Sequence, residues 1–196
     1  MKLYYYPGAC SLGPHIVLRE AGAPFEAVNA DIRTKKLPDG SDYLSVNPKG
    51  AVPALQLDTG DVLTENTTIM QYVADMGGTD DLIPKSGMAR YRQLEWLSYV
   101  SSEVHKTHAP LFNPAAGEDA KTMAKEMLAK KYKYVAGELG DKPFLTGDAF
   151  TPADAYLYVM LTWAKKFGIE TGLDAYRDRV AARPSVQEAE RVEAAG

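Results

Sequence analysis

Residues 2–22, KLYYYPGACSLGPHIVLREAG, decide how the front of this chain folds. "KLYYY" reads as a strand, and the Pro7-Gly8 turn ends it. From Ser11 to Ala21 the apolar residues Leu12, Ile16 and Val17 recur at helical spacing, and Gly22 stops the helix. The single cysteine of the chain, Cys10, stands on the seam between strand and helix. Further on, "FEAVNA" (25–30) reads as a second strand, followed by a charged, irregular stretch from Asp31 to Asp42 and a short helical turn near Tyr43 to Val46. "VPALQL" (52–57) and "DVLT" (61–64) pair as a hairpin about Asp58-Thr59-Gly60-Asp61. A helix then opens at Asn66 and runs through Ile69, Tyr72 and Val73. The order is βαβ, a short helix, then ββα.

After Gly77-Gly78 the strand signal stops, and residues 79–86, with Pro84, read as a linker. Helices are predicted from Met88 to about His108, from Glu118 to Glu138 and over 152–167. The third is apolar nearly all round (Tyr156, Leu157, Val159, Met160, Leu161, Trp163), which marks a helix buried inside a bundle. Thr151 at the N-cap, Pro152 at N1 and Asp154 at N3 form a capping box, so Asp154 reads as a folding device with no catalytic task. Two short helices finish the chain. The expected domains are 1–78, α/β, and 86–196, all-helical.

With 196 residues, 45% of them hydrophobic and 24% charged, the chain is long enough to bury a real core. A formal charge of −4 and a pI near 5.4 argue against a nucleic-acid partner, because no basic stripe exists to neutralise phosphates. No apolar run approaches the roughly 18 residues of a membrane span, and no secretion signal is visible. One cysteine forms no internal disulfide, which fits a reducing cytoplasm. Three dispersed histidines and that cysteine show no metal-ligand spacing. A cytoplasmic protein without a metal is expected.

Five features form a set: the βαβ–ββα order with Cys10 between its first strand and first helix, "GAVPAL" (50–55) with a proline where the third strand starts, "LTENTTIMQYVAD" (63–75), "SSEVHK" (101–106) and "FTPADAYLY" (150–158). Together they resemble a cytosolic glutathione transferase of the bacterial beta class. The resemblance implies a thioredoxin-like α/β N-terminal domain and an all-α helical-bundle C-terminal domain. It implies glutathione as co-substrate in the first domain and a small, largely apolar electrophile against the second, for detoxifying conjugation. It also implies a homodimer that pairs the first domain of one chain with the helical domain of the other, and a cis Val52–Pro53 bond.

Individual residues then acquire candidate roles. At a helix N-terminus, unpaired N–H groups and the macrodipole favour the thiolate of Cys10, the reactive form; the alternative is an inert, buried cysteine. "CSLG" lacks the second cysteine of a C-x-x-C motif, so a mixed disulfide on Cys10 has no internal resolving thiol. Ser11 either donates to the same sulfur or caps the helix. Alternation sends Tyr5 and Tyr6 to opposite faces, so at most one faces a cleft, and core or rim packing is the simpler reading of both. By the resemblance, Val52 before Pro53 offers a backbone edge to the glutathione peptide, Glu65 an acid for its ammonium, Asn66 a helix start for the γ-glutamyl carboxylate, and Lys35 a cation for the glycyl carboxylate. The family usually has serine where Asn66 stands, and asparagine where Ser98 stands. Ser98, Ser102 and His105 recur at i, i+4 and i+7 as one polar face. His105 there would bond the sulfur or titrate near working pH, and Glu103 would reach glutathione across the dimer interface. Two other readings stand beside conjugation: a glutaredoxin-like deglutathionylating enzyme, and a catalytically silent binding module of the same fold.

Overall fold

The computed structural model describes residues 1–76 and 82–196. The expected boundary at Gly77-Gly78 and residues 79–81 of the expected linker lie outside these residues. Contacts gather the chain into two compact units, Met1–Ile83 with Ala182–Gly196, and Pro84–Ala181.

In the first unit, β1 (Lys2–Tyr5) lies parallel to β2 (Glu26–Asn29) and antiparallel to β3 (Ala54–Gln56), which pairs antiparallel with β4 (Val62–Thr64). The sheet order is β2-β1-β3-β4. Strand alternation sorts the tyrosines. Tyr4 and Tyr6 share the face that packs on Tyr43, Val52 and Ala54. Tyr5 takes the opposite face, buried, with its ring 5.8 Å from that of His15. The packing role is therefore the one the fold gives them. Helix α1 (Leu12–Glu20) is buried from Leu12 through Leu18 and packs against α2 (Asn66–Met76).

The last helix departs from the expected division at 86–196. Numbering the helices along the chain, α8 (Pro184–Ala195) packs on α1 in the first unit. Buried Glu193 meets His15 Nδ1 at 3.0 Å, while Arg183 and Ser185 both bind Glu20. An amphipathic period states that one face will be buried but not against which partner.

The second unit contains α3 (Gly87–Tyr99), α4 (Ala109–Phe112), α5 (Glu118–Leu139), α6 (Pro152–Lys166) and α7 (Asp174–Ala181). Helix α6 is buried without a break from Pro152 to Leu161, as its all-round apolar pattern predicts. Its start is tied down by Asp154, which is fully buried and accepts from Thr151 N (2.9 Å), Thr151 Oγ1 (2.6 Å), Leu145 N (2.8 Å) and Tyr176 Oη (2.7 Å). The helix expected over 88–108 is not uniform: after Tyr99 it widens into a π turn over Val100–His105.

Candidate active site

Consecutive carbonyls lead into the Val52–Pro53 bond, which is cis as expected. Each is held by a different part of the chain. Lys35 Nζ donates to Gly50 O at 2.7 Å. Tyr43 Oη and Asn47 Nδ2 donate to Ala51 O at 2.8 and 2.7 Å. Cys10 Sγ donates to Val52 O at 3.5 Å. Burial pushes the Tyr43 hydroxyl up to about 12, so it stays a proton donor at neutral pH. Gly50 has φ +61°, and a Cβ there would meet Lys35 Nζ and Leu44 Cδ2 at 3.1 Å; glycine suits both the backbone and the space. The result is a braced loop against which the half-buried thiol of Cys10 rests.

Ser11 takes neither expected role. Its fully buried hydroxyl accepts from Tyr6 N at 3.2 Å and donates to Tyr6 O at 3.4 Å, and it makes no cap bond to the helix. A hydroxyl turned back to the end of β1 closes the Pro7-Gly8 turn.

Glu65 and Asn66 stand where β4 gives way to α2. Glu65 has φ +73°, left-handed backbone that costs a residue with a Cβ of order 1 kcal/mol or more. Lys49 Nζ reaches its Oε1 at 2.6 Å and Thr64 Oγ1 at 2.9 Å, linking this junction to the braced loop. Asn66 opens α2 with its side chain buried, so the residue larger than serine is accommodated.

Ser98, Ser102, Glu103 and His105 belong to the second unit. The expected polar stripe is altered by the π turn, whose larger repeat carries residues after Tyr99 out of α-helical phase. Ser102 Oγ bonds back to Ser98 O at 3.0 Å. Glu103 pairs with Lys131 Nζ at 2.5 Å, and that hydrogen bond holds its carboxyl below the usual range. His105 turns inward, with Nδ1 2.6 Å from Tyr156 Oη and its ring edge-on to Trp163. Burial, with smaller contributions from Lys106 and His108, lowers it to about 4. Burial thus favours the neutral imidazole of His105 at pH 7, against the expectation of a histidine titrating near working pH. It lines an open cavity of about 360 Å³ with Lys106, Ala109, Phe112, Asn113 and Trp163.

Trp163 and Tyr156 were legible only as core, and Tyr43, Asn47 and Lys49 carried no motif of their own. Among the described residues no group of three or more His, Cys, Asp or Glu is placed to hold a metal ion.

Family models place these residues in context. One described as Glutathione S-transferase, N-terminal domain matches residues 8–76, and one described as Glutathione S-transferase, C-terminal domain matches 95–184. The glutathione S-transferase GstA of Escherichia coli O157:H7 is 47% identical over 195 residues, 96% of each chain. The chain belongs to the glutathione S-transferase family. A sphingomonad glutathione S-transferase solved in complex with glutathione is 44% identical at TM-score 0.95, with both chains fully covered. A bacterial beta class glutathione S-transferase from Sphingomonas chungbukensis is 44% identical at TM-score 0.93, with 98% of each chain covered. The fold is that of the family, a thioredoxin-like α/β unit followed by helices.

Proposed function

We propose that the protein is a cytoplasmic, dimeric, beta-class glutathione transferase that conjugates glutathione to small, largely apolar electrophiles. The observation that carries the reading is Cys10 Sγ resting on Val52 O at the braced cis-proline turn, in a family whose relatives include a glutathione complex. In this reading the Val52 edge takes the cysteinyl peptide, Glu65 the ammonium and the start of α2 at Asn66 the γ-glutamyl carboxylate. Lys35 would share its ammonium between Gly50 O and the glycyl carboxylate. Ser102 and Glu103 are assigned to glutathione by family resemblance alone. His105 serves as a neutral hydrogen-bonding group beside the cavity that takes the electrophile, and Ser11 shapes the turn that presents Cys10.

Conjugation needs no chemistry from a cofactor. The thiolate of glutathione attacks an electrophilic carbon, a carbon–sulfur bond forms, and the leaving group departs with the electron pair of the broken bond. Single-cysteine thiol–disulfide exchange is the second reading, favoured by a half-buried thiol with no resolving cysteine. There the Cys10 thiolate attacks oxidised glutathione, one glutathione leaves as thiolate, and an external thiol later releases the mixed disulfide.

Calorimetry with glutathione, conjugation of chloro-dinitrobenzene and reduction of a glutathione mixed disulfide test both readings. Binding with conjugation is expected, and absence of glutathione binding would support the silent-module alternative. Cys10→Ala should abolish the mixed disulfide seen by mass spectrometry and the exchange activity, while sparing carbon conjugation. If both activities survive unchanged, Cys10 is a packing residue.

A further inference from the structure

Lys49 already does at Glu65 what a ligand ammonium would do there. Its Nζ lies 2.6 Å from Glu65 Oε1 and 2.9 Å from Thr64 Oγ1, so it grips both the end of β4 and the acid that precedes α2. The backbone of this lysine is anchored: its N–H donates to Asn47 Oδ1 at 3.1 Å, and Asn47 is the same side chain that braces Ala51 O. Glu65 for its part is held in left-handed backbone at φ +73°. An observed backbone outlier of this kind is a mark of a site whose geometry matters more than local comfort.

We propose that Lys49 is an internal competitor that sets affinity for the amino group of glutathione. The inference rests on the assignment of Glu65 to the ligand's ammonium. One carboxylate then faces two ammonium groups, one tethered to the braced loop and one brought by the ligand. Like charges around a single acid repel, and the tethered one is present at high local concentration. Even where the ligand ammonium takes the other oxygen, the two cations share one carboxylate charge, so Lys49 lowers what Glu65 can give the ligand. An exposed lysine can also give way, because a solvent-facing ion pair is held weakly enough to exchange.

Calorimetry at low ionic strength on Lys49→Gln tests this, since glutamine keeps a donor for Thr64 while removing the charge. Glutathione should bind about two- to fivefold more tightly than to the unsubstituted protein. A glutathione analogue lacking the γ-glutamyl amine should bind both proteins equally. Added salt should shrink the difference, because the competition is between charges. Weaker glutathione binding to Lys49→Gln would overturn the proposal by making Lys49 a ligand contact. An equal change for glutathione and its deaminated analogue, or no change for either, would overturn it as well. Failure of the unsubstituted protein to bind glutathione at all would instead defeat the functional reading beneath it.

Discussion

His105 and His108 show how burial outweighs sequence position. An exposed helical histidine titrates near 6.5, yet both are lowered to about 4, chiefly because burial penalises the charged ring. The hydrogen bond of His108 with Val104 O works the other way without reversing the shift. Their folded values lie below the unfolded one, so between about 4 and 6.5 the unfolded chain binds more protons and stability rises with pH. Acidification through that window should cost roughly 3 kcal/mol per histidine. Urea unfolding at steps from pH 7 to pH 4 should show this fall, and His105→Gln should flatten it. A slope unchanged by His105→Gln would mean that His105 takes up its proton as readily in the folded protein as in the unfolded chain, so that burial does not lower it.

At the scale of elements, the start of α6 concentrates more hydrogen bonding on one side chain than any motif requires. A capping box needs Asp154 to reach only the Thr151 N–H; the fold adds Leu145 N and Tyr176 Oη from a preceding loop and from α7. Asp154→Ala leaves those buried donors without their acceptor and should lower stability by roughly 3 kcal/mol or more. The urea midpoint should drop, while the glutathione KM of the folded fraction stays within about twofold, because Asp154 does not face a ligand in the proposed site. A large KM change at unaltered stability would contradict the folding role. The capping box was readable because its residues lie within one turn of helix. The π turn at Val100–His105 was not, since no residue in "VSSEVH" breaks a helix.

For the whole molecule, α3 and α5 leave Met88, Tyr91, Met123, Met127 and Tyr134 exposed, and the proposed dimer expects some of these apolar side chains to be covered by a second copy. Sedimentation at micromolar concentration should give a species of twice 21.4 kDa, and Tyr91→Glu combined with Met123→Glu should shift it to the single chain. A 21.4 kDa species for the unsubstituted protein would sink the dimer. The order of strands and helices, the seam that holds Cys10 and the cap at Asp154 follow from local sequence, whereas the cis turn at Pro53 was implied by the family resemblance. Each of the first three depends on a period or a contact spanning a few residues, and local backbone chemistry enforces those directly. Contacts between distant segments are what join α8 to the first unit through Glu193 and His15, let Tyr43 and Asn47 brace Ala51 O, and bury His105 so that its neutral form is favoured. Burial and long-range hydrogen bonds arise between segments far apart in sequence, and it is the surroundings they create that set partners and proton affinities.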